Sequence, residues 1–200
     1  LRERGIRSFA ILEREADIGG IPRHCGHMGF GWQSHRRLWR GPRFAAELRR
    51  EAEGMDVRTG TTVREIHADG RLSVRTAAGP AEIKARAVLL ATGTRETPRS
   101  FRLIGGTRPL GVMNTGALQQ HAYLHGYAPF RRPLIIGAEW VSYSAILTCR
   151  HLGIRPVAML APNDQGAVPR LVSVAAGLTM GVPLWRDVDE ISIAGVRSVE

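Results

Sequence analysis

The chain has 200 residues, 44% of them hydrophobic, and a formal net charge of +10. This length and composition favour one or two folded domains over a disordered chain, and no apolar run approaches the ~20 residues that a transmembrane helix needs. Because the arginines are scattered and only 6% of the residues are aromatic, the charge favours a compositional preference for arginine, or else an acidic partner protein, over binding to nucleic acid.

The first residues have the pattern of the second half of a βαβ unit. Leu1 to Gly5 resembles the end of a helix closed by glycine, and Ser8 to Glu13 (SFAILE) predicts a short strand that ends in an acid. In dinucleotide-binding folds such an acid lies about 20 residues after a glycine-rich loop and hydrogen-bonds the adenosine ribose. We therefore expect the chain to begin after the first strand, the glycine loop and most of the first helix. A simple strand-end carboxylate is the alternative for Glu13.

A glycine pair, Gly19 and Gly20, allows the main chain to approach a ligand closely or to make a turn. Nearby His24, Cys25 and His27 are metal-ligating residue types. Three ligands within four residues rarely reach one ion, so we expect no metal and interpret them as polar lining of a cofactor site or as a structural loop. The two cysteines of the chain are far apart in sequence, which is typical of a reducing compartment.

The central stretch predicts one helix and several strands. Arg43 to Glu53 has the spacing of an amphipathic helix, with Phe44, Leu48 and Ala52 on its apolar face and Gly54 at its end. The strands predicted after it open at Val57 and cover Thr61 to Ile66, Arg71 to Thr76, Glu82 to Ala87 and Val88 to Gly93. An Asp-Gly pair between two of these runs predicts a hairpin. The continuous apolar run VLLATG is typical of a buried parallel strand.

A second strand–helix–strand pattern begins at Pro133. Its predicted elements are a strand from Leu134 to Gly137, a helix from Val141 to Leu152 capped by Gly153, a strand from Ile154 to Leu160, a helix from Pro169 to Met180 and a strand from Val182 to Ile193. A right-handed crossover makes the first two strands parallel neighbours. We predict an α/β fold with two Rossmann-like dinucleotide-binding units and an inserted β-hairpin region, truncated at both ends.

The element order and four segments carry a family resemblance. The segments GGIPRHCGH, LLATGTRETPR, RPLGVMNTGALQQ and IIGAEWVSYSA resemble the FAD-dependent pyridine nucleotide-disulfide oxidoreductases. They are most similar to the FAD-binding large subunits of heteromeric amine and amino-acid dehydrogenases, of the hydroxyproline dehydrogenase, opine oxidase and hydrogen cyanide synthase type. The resemblance covers essentially the whole chain. It implies an FAD-binding domain at 1–130, without its first strand and glycine loop, and the start of a degenerate NAD-type domain at 131–200.

The resemblance also implies a set of cofactor-binding positions, at which small residues let the main chain come close to a dinucleotide. The family's ribose-binding acid corresponds to Glu13, and its adenine contact corresponds to Val63. The full set of expected cofactor-binding residues is Glu13, Arg14, Gly19, Gly20, Val63, Ala91, Thr92, Gly93 and Gly137.

Two departures from the family pattern bear on electron transfer. Disulfide reductases of this superfamily carry two cysteines after the glycine pair, whereas this stretch has only Cys25, so a flavin–disulfide relay is not expected. The second nucleotide loop has Gly137 but not the rest of G-x-G-x-x-G, and Glu139 places a carboxylate where a pyrophosphate would approach. We therefore expect NAD(P) binding to be weakened or absent. A tolerated loop variant that still binds NAD(P)H is the alternative.

The sequence thus predicts an FAD-dependent electron-transferring subunit of an amine or amino-acid (opine or proline type) dehydrogenase or oxidase, with partner subunits that include an iron-sulfur protein. The alternatives are an NAD(P)H-dependent flavoprotein reductase that feeds an iron-sulfur partner, and a non-catalytic scaffold subunit. We expect a cytoplasmic or membrane-peripheral location and low stability for this stretch alone, and the sequence identifies no catalytic residue.

Overall fold

The computed structural model describes residues 4–6, 8–162 and 168–199. Its helices are α1 (Trp32–His35), α2 (Gly41–Glu51), α3 (Thr115–His125), α4 (Trp140–His151) and α5 (Arg170–Met180). Its strands are β1 (Ala10–Leu12), β2 (Met28–Phe30), β3 (Trp39–Arg40), β4 (Asp56–Arg58), β5 (Thr62–Ile66), β6 (Arg71–Thr76), β7 (Gly79–Lys84), β8 (Gly105–Gly106), β9 (Leu134–Ile136), β10 (Ala158–Ala161), β11 (Leu184–Arg186) and β12 (Ser192–Ile193). No helix within the described residues is long and apolar enough to cross a membrane.

The first unit contains a parallel strand pair and the helix that connects it. β1 pairs with β4 from Ala10 opposite Asp56 to Leu12 opposite Arg58, and α2 lies between them in the chain. The predicted strand from Ser8 to Glu13 is therefore confirmed in its central part. The predicted helix end from Leu1 to Gly5 lies mostly outside the described residues.

α2 begins two residues before its predicted start because Pro42 occupies the first turn, where a missing N–H has no cost. Phe44 and Leu48 are half-buried on its inner face, and Ala45 is the most buried residue there, at 2% exposure. The helix ends at Glu51, with Gly54 in the turn that follows. The predicted apolar face is correct, but its centre is Ala45.

An antiparallel sheet of β5, β6 and β7 follows, and it confirms the predicted hairpin. β6 supplies its buried residues, Leu72 and Val74, at 5% and 2% exposure. β7 begins three residues before the predicted start at Glu82, because a tight turn after Thr76 puts Gly79 directly opposite it. The strand ends at Lys84, so a strand was predicted correctly, but three residues too late in the chain.

The predicted buried strand from Val88 to Gly93 is wrong. These residues have no regular secondary structure, and Leu89 and Leu90 are 78% and 69% exposed. A parallel strand needs a neighbour that receives its backbone hydrogen bonds, and none of the described strands pairs with this run. Apolar composition alone therefore did not produce a strand here.

The second unit contains a parallel sheet in the order β11, β10, β9, covered by α3 and α4. β9 and β10 are parallel neighbours, from Leu134 opposite Ala158 to Ile136 opposite Leu160, as predicted. The main core lies here and consists of Leu118, Ile135, Ala138, Tyr143, Ala145, Ile146, Cys149, Met159, Ala161, Val168 and Val182. Most of the buried apolar surface thus supports the β9–α4–β10 unit.

Two predicted strands of this unit need correction. The predicted strand from Ile154 begins only at Ala158, because the N–H of Ile154 closes the end of α4 by donating to the carbonyl of Cys149. The predicted strand from Val182 to Ile193 is two short strands in different sheets, β11 and β12, separated by an irregular segment in which Asp187 has a φ of 56°. β12 pairs in parallel with β8, which joins the end of the chain to the segment before α3. The predicted helix from Pro169 to Met180 is confirmed as α5.

Candidate functional site

The glycine pair after β1 forms a turn with one packed and one open position. Gly19 has a φ of 113°, and a Cβ there would lie 3.0 Å from Cβ of Ala45, so this glycine lets the turn pack against α2. Gly20 has a φ of 57°, and the nearest atom to a Cβ there would be Cδ of Pro22, at 4.0 Å. Gly20 thus presents main chain to open space, as a residue beside a bound phosphate must.

The short 3₁₀ helix Ile21–His24 that follows the pair is held between two helices. From one side, the N–H of Gly41 at the start of α2 donates to the carbonyl of Cys25 at 3.0 Å. From the other side, Tyr123 of α3 lies so close to Gly26 that a Cβ on this glycine would overlap its phenol. The turn that carries Gly19 and Gly20 is therefore fixed by packing.

Two polar atoms of this 3₁₀ helix are buried without partners. His24 is 7% exposed, and its Nδ1 has no hydrogen-bond partner among the described residues, nor does Nε of Arg23. Burial, aided by the neighbouring Arg23 charge, lowers the pKa of His24 and keeps its imidazole neutral. A buried polar atom without a partner costs stability unless a ligand or water satisfies it. A ligand or a water molecule therefore remains to satisfy these two atoms, which lie three and four residues after Gly20 in the chain.

Cys25 belongs to a buried polar chain. Its thiol donates to Oε1 of Gln119 at 3.5 Å, and Nε2 of Gln119 donates to the hydroxyl of Ser144 at 3.1 Å. This chain connects the glycine-rich segment to α3 and α4. Burial raises the pKa of the Cys25 thiol to about 11, so the group is protonated at neutral pH and is a poor nucleophile. The sequence did not identify Gln119 or Ser144, because neither belongs to a recognisable motif.

The main chain brings two further predicted residues near each other. The N–H of Thr61 donates to the carbonyl of Glu13 at 2.9 Å. Thr61 lies two residues before Val63 in the chain, so the end of β1 lies close to the start of β5. Oε1 of Glu13 accepts a hydrogen bond from the N–H of Glu15 at 2.9 Å, which orients the carboxylate. Arg14 instead pairs with its neighbour Glu15 at 2.7 Å in an exposed position.

The segment from Ala91 to Gly93 is exposed, and one end of it lies beside the 3₁₀ helix. A Cβ on Gly93 would be 3.7 Å from Cδ1 of Ile21, next to Gly20. Ala91 and Thr92 are exposed. The structure therefore groups Gly93 with the Gly19–Gly20 turn, and it groups Glu13 with the start of β5.

Gly137 belongs to a separate turn, at the junction of β9 and α4. Glu139 is the N-cap residue of α4, and its Oε1 accepts a hydrogen bond from Nη1 of Arg102 at 2.9 Å. Its Oε2 accepts from the hydroxyl of Ser142 at 3.0 Å. Burial works to raise the pKa of Glu139, but Arg102 and Ser142 together with a backbone hydrogen bond hold it below its usual range. Arg102 was not predicted, since it lies 37 residues earlier in a segment without periodicity.

Among the residues that the structure describes, one cluster of metal-ligating residue types is formed by α1 and α2. Ligand atoms of His35, Glu47 and Glu51 lie within 4.8 Å of one another. His35 already contacts Glu51 at 2.7 Å, and the Glu47 carboxylate accepts hydrogen bonds from Arg50. Internal partners therefore account for these side chains, and we assign no metal to them.

No protein-family model matches the sequence, and no curated protein matches it. Solved structures do match. An NAD-dependent persulfide reductase from A. fulgidus has a TM-score of 0.62 and 18% identity, over 97% of this chain and 37% of that protein. An L-proline dehydrogenase from P. horikoshii has a TM-score of 0.60 and 20% identity, over 76% and 30%.

A third similar structure is an FAD-dependent pyridine nucleotide-disulphide oxidoreductase from Desulfovibrio vulgaris, with a TM-score of 0.55 and 15% identity over 78% of this chain and 44% of that one. The chain thus spans less than half the length of each of these three proteins. At such low identities the similarity concerns the fold. It confirms the predicted fold class: the chain has the Rossmann-like α/β fold that these oxidoreductases share.

Proposed function

We propose that this chain is the FAD-binding part of an oxidoreductase, acting as the electron-transferring subunit of an amine or amino-acid dehydrogenase. The observation that carries this proposal is the fixed Gly19–Gly20 turn with open space at Gly20, together with the partnerless Nδ1 of buried His24 at the end of the 3₁₀ helix that follows the turn. These features lie in a fold shared with an FAD-dependent oxidoreductase and an L-proline dehydrogenase.

The residues present fit a flavin dinucleotide. We propose that Glu13 accepts hydrogen bonds from the adenosine ribose, that Val63 contacts the adenine, and that Gly20 and Gly93 let main chain approach the pyrophosphate and the ribityl chain. A neutral His24 satisfies its free Nδ1 on a polar atom of the ligand. Arg14, Gly19, Ala91 and Thr92 complete the proposed set, in which Gly19 acts through packing. On this proposal residues 1–130 form the FAD domain and 131–200 begin the second domain, at Gly137.

FAD, when bound, accepts a hydride from a C–H bond of the substrate. The chain's own residues then provide orientation and electrostatics: carboxylate for ribose hydroxyls, main-chain N–H groups for phosphate, and a neutral imidazole that adds no charge near the flavin. The protonated Cys25 thiol does not support a disulfide relay. We therefore propose that electrons come from an organic amine and leave through partner subunits, with an iron-sulfur protein as the acceptor.

A second candidate is an NAD(P)H-dependent flavoprotein reductase. The parallel β9–α4–β10 unit and the similarity to an NAD-dependent persulfide reductase favour it. The carboxylate of Glu139 at the start of α4 opposes it, because this group repels the phosphates of a nicotinamide dinucleotide.

The proposal is tested on the complete protein, purified with the subunits that accompany it. We expect heat denaturation to release FAD, identified by chromatography and mass, and we expect dye reduction with proline, hydroxyproline or opines but not with NADH. Protein without FAD contradicts the proposal, and dye reduction by NADH alone supports the second candidate.

A further inference from the structure

The N-cap residue of α4, Glu139, has a carboxylate with two hydrogen-bond donors. Arg102 donates to Oε1 of Glu139 at 2.9 Å, and the hydroxyl of Ser142 donates to Oε2 at 3.0 Å. Both donors come from described residues, and the Arg102 and Glu139 side chains are 27% and 31% exposed.

These donors are of the kinds that hold phosphates in proteins. A main-chain N–H at a helix N-terminus, a hydroxyl and a guanidinium are the usual partners of a dinucleotide pyrophosphate. Here the protein's own carboxylate lies at the N-terminus of α4 and accepts from the hydroxyl of Ser142 and the guanidinium of Arg102. The positive end of the α4 dipole and the charge of Arg102 are therefore already neutralised from within the chain.

The position of this carboxylate coincides with the glycine turn. A Cβ added to Gly137 would overlap Oε2 of Glu139 and lie 2.7 Å from the hydroxyl of Ser142. The open space that a glycine at this turn leaves above its main chain is thus filled by the Glu139 side chain. A phosphate would have to displace a charged group that is held by two hydrogen bonds.

We propose that Glu139 is an internal substitute for a pyrophosphate and is the residue that closes the second Rossmann-like unit to nicotinamide dinucleotides. The inference rests on the proposed function and deepens it. If the second unit is closed to nicotinamide dinucleotides, electrons enter from an organic donor. Arg102 is the positioning residue, since it holds the carboxylate over Gly137. In the absence of Glu139, the same donors are free to bind phosphate.

The experiment measures NADH and NADPH binding calorimetrically on the complete protein and on matched variants. We expect no measurable binding to the unmodified protein. Glu139→Gly removes the carboxylate and restores a glycine two positions after Gly137, so we expect NADH affinity to rise at least about tenfold. Arg102→Gln, added to Glu139→Gly, removes the main cation and should abolish the gain. Glu53→Gly, an equal change of charge at an exposed turn, should leave binding unchanged.

Glu139→Gln provides a second variant if Glu139→Gly does not fold, because it removes the charge and keeps the volume; we expect a smaller gain. Tight NADH binding by the unmodified protein, or no gain in either variant while the thermal transition is kept, overturns the inference. Flavin content, read from the visible spectrum of the same samples, separates the two claims. A gain in NADH affinity in variants that contain no flavin would contradict the proposed function alone. Bound flavin in variants without a gain in NADH affinity would contradict this inference alone.

Discussion

Arg102 and Glu139, 37 residues apart in the chain, form an ion pair of 2.9 Å that joins the segment before α3 to the first turn of α4. The pair is about two-thirds buried, and Glu139 also accepts the Ser142 hydroxyl. It therefore connects the segment before α3 to the N-terminus of α4.

Arg102→Gln is expected to destabilise the protein by about 1–2 kcal/mol, because it leaves a partly buried carboxylate without its cation. The measurement is urea-induced unfolding followed by circular dichroism. Arg86→Gln, an equal change of charge at an exposed residue, serves as the control and should have little effect. Equal stability of the two variants would show that the ion pair contributes nothing.

The stabilisation by this pair should depend on pH in a defined direction. The pKa of Glu139 lies below its usual range in the folded state, so its contribution is complete above the unfolded value of about 4.3 and is lost as the pH falls through the folded value. The difference in unfolding free energy between the unmodified protein and Arg102→Gln should be constant near neutral pH and shrink in acid. A difference that grows in acid would contradict the assigned charge state.

Gly26→Ala is expected to destabilise the protein by about 1–3 kcal/mol, since its Cβ would overlap the phenol of Tyr123. Gly105→Ala is the control, because nothing lies within 4 Å of an added Cβ there. Thermal unfolding of both variants measures the effect. Unchanged stability of Gly26→Ala would mean that α3 does not pack against the glycine-rich segment as described.

Both cysteines should be unreactive in the folded protein. Burial raises the pKa of Cys25 and of Cys149 to about 11, so little thiolate is present at neutral pH. We expect a chromogenic disulfide reagent to modify neither residue in native protein and to modify both after denaturation. Rapid labelling of Cys25 in the native protein would contradict its burial and reopen the possibility of thiol chemistry in the glycine-rich segment.

His24→Leu should separate a ligand role from a structural one. The change removes a buried Nδ1 that has no partner among the described residues, so stability without cofactor should be unchanged or higher. Under the proposed function, FAD affinity should fall about tenfold, the equivalent of one lost hydrogen bond. His125→Leu, at an exposed residue, is the control. Lower stability with unchanged flavin content would assign His24 a packing role only.

Local patterns predicted the elements whose partners are also nearby in the chain. The β5–β6 hairpin and the β9–α4–β10 unit follow from an Asp-Gly turn, apolar runs and a glycine-closed helix, and all of them are present. The run from Val88 to Gly93 had the composition of a buried strand, but a strand also requires a partner, which composition does not reveal. The prediction of one strand from Val182 to Ile193 failed because the backbone at Asp187, with a φ of 56°, leaves the extended conformation and the chain then passes to another sheet.

In the candidate site too, residues with a local sequence signal were predicted and residues with distant partners were not. Gly19, Gly20 and Glu139 were identified because glycine pairs and departures from a loop motif are visible in sequence. Arg102 and Gln119 were not, since they act through contacts 37 and 94 residues away along the chain. Long-range pairing of single polar side chains leaves no periodic signal.

The most direct test of the account is an anaerobic spectral titration of the complete protein, first with NADH and then with a secondary amine such as proline. We predict an oxidised flavin spectrum that NADH leaves unchanged and that an amine or amino-acid donor bleaches. Rapid bleaching by NADH, or the absence of any flavin absorption, would contradict it.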